Sequence, residues 1–193
     1  MIKTSLKFFG ALFIVSLLSS CGYNGMVNRQ EEVNKAWANV QASYQRRSDL
    51  IPNLVNTVKG SANFEQSTLT AVIEARAKAT SVNIDASKLT DDNLKQFQAA
   101  QGQLSSSLSR LLVTVEKYPD LQTTQAFRDL TAELAGTENR INKARNDFNT
   151  AVNDYNAFIK SFPEVMYAGS FGFKPKPYFE AEAGSEKAPA VKF

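Results

Sequence analysis

Apolar residues recur at steps of three and four along most of the chain, a spacing that predicts helices packed along shared seams at a small crossing angle. One series runs Tyr23, Met26, Gln30, Val33, Trp37, Val40, Tyr44, Arg47, Ile51, Leu54, Val58, interrupted only by Gln30 and Arg47. A second runs Leu94, Phe97, Gln101, Leu104, Leu108, Leu111, Val115, Tyr118. The third runs Phe127, Leu130, Leu134, Thr137, Ile141, Ala144, Phe148, Ala151, Tyr155, Phe158, Phe162. A shorter helix fits Phe64 to Ser81, with Leu69, Val72, Ile73, Arg76 and Ala79 on one side. The breaks have local causes. Gly60-Ser61 closes the first helix, and Asn83 to Lys88 is a polar connection. Pro119 disfavours helix at Tyr118 and stops the third. Thr90 before Asp91-Asp92 predicts an N-terminal cap. Pro52 falls inside the first helix, where the register preserved on both sides predicts a kink and not a split.

Four helices with short connections predict an all-α, antiparallel up-and-down bundle over residues 21–162. Because the second helix is short, the first and fourth are expected to run on as a thinner stalk at the N-terminal end. Residues 163–193 form a C-terminal segment. Phe171, Phe173, Tyr178 and Phe179 surround Pro175 and Pro177, so its first part is expected to dock on the bundle in extended form. The stretch 181–189 is expected to be flexible.

Ahead of the bundle, Lys3 and Lys7 precede the apolar run Phe8 to Leu18. That run is short of the roughly 20 residues needed to span a bilayer and fits the core of a signal peptide. Leu18-Ser19-Ser20-Cys21 follows and resembles a bacterial lipoprotein signal. In that chemistry the Cys21 thiol is alkylated by diacylglycerol, residues 1–20 are cut away and the new amine can be acylated. Two or more chains then anchor stably to a membrane. The competing reading is an ordinary signal peptide or short anchor with Cys21 incidental. Gly22 is not acidic, so the expected address in a two-membrane host is the outer membrane, facing the periplasm.

Composition narrows the chemistry. The 193 residues carry a net charge of +3, with one Cys and no His. Loss of Lys3 and Lys7 with the signal leaves a near-neutral surface, so nucleic acid is not an expected partner. Zinc sites built on Cys and His, Ser-His-Asp or Cys-His nucleophiles and imidazole acid–base catalysis all lack their parts. The nine glycines are scattered, with no phosphate loop among them. No catalytic residue, cofactor or metal is expected.

Several stretches together resemble the signature of the LemA family. They are Ala36-Trp37, Arg46 to Val55, Val58-Lys59-Gly60, Glu116 to Leu121, Thr137 to Ile141 with Ala144-Arg145, Tyr155-Asn156, Gly172-Phe173 and Tyr178-Phe179. The resemblance implies an all-helical bundle exposed on the far side of a membrane, usually behind an N-terminal transmembrane helix. Here a lipid on Cys21 is expected in place of that helix. The resemblance implies no reaction.

Three features are candidates for function. Arg47 on the first seam either snorkels to the surface or is a buried charge paired with Glu74, Glu133 or Glu138. Asn139, Asn142, Asn146, Asn149, Asn153 and Asn156 make a stripe one to two places beyond the fourth helix's core. It is a solvated face, a set of hydrogen bonds to the returning C-terminal segment, or a surface for a partner protein. Val191-Lys192-Phe193 offers an apolar end of the kind peptide-binding domains capture, or it docks internally or frays. The leading expectation is a non-enzymatic lipoprotein of the cell envelope that presents an interaction face to another envelope protein. The alternative is a sensor-type bundle binding a small ligand among Gln30, Gln101, Thr137 and Arg47. A hydrolase working through carboxylates alone is disfavoured, because no acid pair stands out by spacing.

Overall fold

Residues 2–60 and 64–180 are described by the computed structural model, with side chains described from Gly22 onward. The seams become helices α1 (Ile2–Lys59), α2 (Gln66–Ser81), α3 (Asp91–Val115) and α5 (Gln125–Lys160), with a single-turn α4 (Pro119–Gln122) between the last two. Three isolated 3-10 turns, Ala86–Lys88, Glu164–Met166 and Gly169–Phe171, complete the described residues, among which there is no strand. The fold is all-α, built on four long helices.

Local chemistry sets the ends. Thr90 accepts from the Asn93 backbone N–H at 3.3 Å while Asn93 Oδ1 accepts from the Thr90 N–H at 2.9 Å, so two orphan donors of α3 are satisfied reciprocally. Pro119 opens α4 at a position where its missing N–H costs nothing. α1 continues through Pro52 without a break.

Contacts set the helix directions. Arg29 lies over the Phe158 ring and Arg47 meets Glu138, so α1 and α5 run oppositely. Gln41 reaches Asn83 and Ser48 meets Arg76, so α2 descends along α1. Phe97 packs against Trp37 and Tyr44 while Gln101 meets Arg47, so α3 runs parallel to α1.

The core is split in two. One cluster joins α1 from Met26 to Tyr44 with Leu94, Phe97 and the α5 residues Ile141 to Ile159. The other joins Ile51 to Val58 with α2, Leu104 to Val115, Leu121, Phe127 and Leu134. The thinner stalk expected at the N-terminal end is filled out by other segments. Ile84 and Leu89 from the α2–α3 connection, with Ala168, Phe173 and Phe179 from the C-terminal segment, pack onto the α1–α5 pair.

Some seam positions differ from the strict heptad. Toward its C-terminal end α5 buries Val152, Tyr155, Asn156 and Ile159, while Ala151 and Phe158 are only half-buried and Phe162 is exposed. An α-helix repeats at 3.6 residues, so a strict 3.5 spacing drifts about 20° per heptad where no supercoiled partner enforces it. Here α5 faces the C-terminal segment. Ile73 and Tyr23 are likewise exposed. At Gly22 and Gly25 α1 passes against aromatic side chains: an added Cβ would collide with the Tyr167 hydroxyl at the first and lie 2.7 Å from Phe158 Cζ at the second.

Candidate functional site

A polar layer separates the two core clusters. Arg47 lies inside it with 3% of its side chain exposed, so the snorkelling reading is corrected. Its Nη1 donates to Ser105 Oγ at 2.8 Å and to Glu138 Oε2 at 3.1 Å, and its Nη2 donates to Gln101 Oε1 at 2.9 Å. Gln101 in turn donates to the Ala79 carbonyl at 3.3 Å. One guanidinium thereby links α1, α3 and α5, and Gln101 extends the network to α2. Of the three acids named as possible partners, Glu138 takes Arg47, Glu133 pairs with Arg46 at 2.8 Å, and Glu74 is exposed. Glu138 is itself 49% exposed, so the ion pair spans from core to surface.

A cleft of about 400 Å³ opens on this layer between α3 and α5, lined by Arg47, Gln98, Gln101, Ser105, Ser109 and Glu138 among others. Thr137 is buried beside Glu138 in sequence but bonds within α5, to the Leu134 carbonyl. Gln30 lies apart, lining a groove under the C-terminal segment. The four seam residues therefore do not form one pocket. Ser105 is a participant the seam pattern did not mark. The run Ser105-Ser106-Ser107, poorly suited to a helix interior, was the available signal.

The second site is a strap. Asn156 donates to the Lys176 carbonyl and accepts from the Lys176 N–H, both at 2.8 Å. Asn149 does the same for Phe179, at 3.1 and 2.9 Å. Seven helical residues rise about 10.5 Å and three extended residues span about 9–10 Å, so the two ladders match. Asn149 and Asn156 are thus engaged within the chain, and they leave the set of residues open to a partner. Asn139, Asn142, Asn146 and Asn153 are exposed. The Phe179 ring packs against Trp37 and Phe148. Tyr155 donates to the Lys174 carbonyl at 3.0 Å, and Lys176 Nζ donates to the Ala86 carbonyl at 2.9 Å. Burial raises the Tyr155 phenol above its ordinary 10.0 and lowers Lys176 below 10.5. Asp85, held below its usual value chiefly by the Ser87 hydroxyl, partly offsets the second shift.

The backbone at Cys21 belongs to α1, but its side chain lies outside the described residues, as do Phe193 and the stretch 181–189. Among the described residues no group of three His, Cys, Asp or Glu could hold a metal ion, and no helix is long and apolar enough to cross a membrane.

Fold and sites together define a helical bundle closed by its own C-terminal strap. The LemA family model matches residues 36–193, and the chain belongs to the LemA family. It is 28% identical over 190 residues to magnetosome protein MamQ of Magnetospirillum gryphiswaldense, covering 89% of this chain and 69% of that one. Magnetosome protein MamQ 2 of Paramagnetospirillum magneticum is 26% identical over 201 residues, 91% and 74% of the two chains. Protein LemA of Metamycoplasma hominis is 27% identical over 141 residues, 70% and 61%.

Proposed function

We propose that this protein is a lipoprotein of the cell envelope, tethered through Cys21, whose bundle is a non-enzymatic interaction module for another envelope protein. The observation that carries the reading is an adjacency. Cys21 directly precedes Gly22, which is already buried against Tyr167 and Glu164. A lipid on Cys21 therefore sits flush with the packed end of the bundle, with no spacer between them. The lone Cys, the Leu18-Ser19-Ser20 context and the exposed Asn139, Asn142, Asn146 and Asn153 agree with tether and interaction face respectively. Labelling cells with an alkyne fatty acid tests the tether. The label is expected on the wild type, in the envelope fraction, and absent from Cys21→Ala. Unlabelled wild-type protein would end the reading. Crosslinking in intact cells then identifies the partner.

The small-ligand alternative is favoured by one observation, the cleft that opens onto buried Arg47. An added Cβ at Gly102, on its wall, meets nothing. Gly102→Phe is therefore expected to fill the cleft and abolish any ligand-induced rise in melting temperature. A rise equal in wild type and variant removes this alternative.

A further inference from the structure

We propose that the turns following α5 form a plate that inserts into the membrane–water interface beside Cys21. Phe162 is 80% exposed and Met166 72%, and Val165 and Phe171 are exposed by more than half. These four large apolar side chains fall within ten residues of sequence, where solvation in water is costly. The surrounding contacts place them around the start of the packed bundle. Tyr23 meets Phe171 edge-on with ring centroids 5.4 Å apart, Tyr167 meets Phe171 at 6.0 Å, and Tyr167 and Glu164 crowd Gly22. The plate's segment thus abuts the residues that immediately follow Cys21.

Charge and backbone both suit lipid. From Ser161 to Phe173 the only charged residue is Glu164, and it is turned inward, 9% exposed, within 3.4 Å of Ser161 Oγ. No exposed carboxylate has to leave water or face anionic headgroups. Lys160, exposed in the last turn of α5, borders the plate with the sign those headgroups attract. Irregular backbone enters a bilayer only when its polar groups are satisfied internally. Here Val165, Met166, Tyr167, Ala168, Phe171, Gly172 and Phe173 all donate their N–H groups to carbonyls within the segment. Aromatic and aliphatic side chains on such a scaffold lie about 5–10 Å into the headgroup region.

The occupant is a lipid surface because the plate adjoins the tether. It rests on the tether reading only for where the bilayer lies. Inserting there, the plate would hold the bundle upright on a lipid that by itself lets the domain swing.

The test uses the full-length protein purified from membranes and reconstituted in phosphatidylethanolamine–phosphatidylglycerol vesicles carrying brominated acyl chains. Phe162→Trp is compared with the wild type, whose single Trp37 is buried, and mass spectrometry of the same samples reports the acyl group. Quenching of the added indole by bromines near the headgroups, with Trp37 unquenched, is expected. A Phe162→Trp/Val165→Ser/Met166→Ser variant should lose at least about half of that quenching while its melting temperature stays unchanged, since these side chains are exposed and make no ring contact with the bundle. An acylated protein with an unquenched probe overturns the plate and leaves the tether standing. Quenching without an acyl group keeps the plate and removes the tether. Protection of the probe that follows protein concentration and not lipid assigns the surface to a second copy, and overturns the proposal.

Discussion

Arg76 on α2 donates its Nε–H to the Ser48 carbonyl on α1 at 2.8 Å. That carbonyl is the one Pro52 leaves without a helical donor, because proline has no N–H to give to the residue four places back. The interruption in α1 is thus repaired by a side chain from the neighbouring helix. The helix passes through Pro52 unbroken, and the defect becomes an attachment point between α1 and α2.

Arg76→Met should therefore cost about 1–2 kcal/mol of stability, the penalty of an unmet carbonyl plus the lost bond. In a Pro52→Ala background the helix supplies its own donor, and the same substitution should cost less than about half as much. Urea denaturation of the four proteins measures the coupling. Equal costs in both backgrounds would show that Arg76 acts by packing alone.

Removal of the Arg47 charge tests the polar layer. Arg47→Met leaves buried Gln101 Oε1 without its donor between the two cores and should cost about 1–3 kcal/mol. Glu138 adds little to that, since it is half-exposed and rehydrates. Adding Gln101→Leu joins the clusters and should recover most of the loss, as buried polar networks are often replaceable by apolar packing. Thermal melts of the single and double variants decide it; a double variant no more stable than Arg47→Met contradicts the account.

The strap makes a prediction site by site. Asn156→Ala removes both bonds to Lys176 and should destabilise the protein by about 1–3 kcal/mol, with faster amide exchange at Lys176 and Phe179. Asn153→Ala, on the exposed face, removes a poor helix former and should gain about 0.5 kcal/mol. Hydrogen exchange that is already complete at Lys176 in the wild type would rule out a docked strap.

Alkaline pH should separate Tyr155 from Lys176. The folded state holds the Tyr155 phenol neutral above its ordinary 10.0, so its contribution is intact below that value and is lost as pH rises through the folded pKa. Lys176 has the opposite slope: burial disfavours its charge, and that penalty is relieved as pH climbs toward 10.5. As pH rises past 10.0, Tyr155→Phe should show stability that rises relative to wild type, and as pH climbs toward 10.5, Lys176→Met should show stability that falls relative to it. Parallel curves for all three proteins would mean that neither group titrates differently on folding.

Periodicity along the chain determined the helices, the Thr90 cap and the Pro119 stop, because those are fixed by neighbours within a turn or two. It also marked Arg47 and the Asn stripe as departures from an apolar seam or a plain surface. Their roles came from elsewhere. Whether Arg47 is buried depends on Gln101 and Ser105 standing at its height on another helix. Which asparagines are engaged depends on a strap whose three-residue step matches their seven-residue spacing. The end of α5 buries Val152 and Ile159 and leaves Phe162 outside because the C-terminal segment packs there beside α1, and that segment imposes no heptad. Helical phase is a local property, whereas the partner that meets each face is chosen by chain segments dozens of residues away, and only their packing decided it.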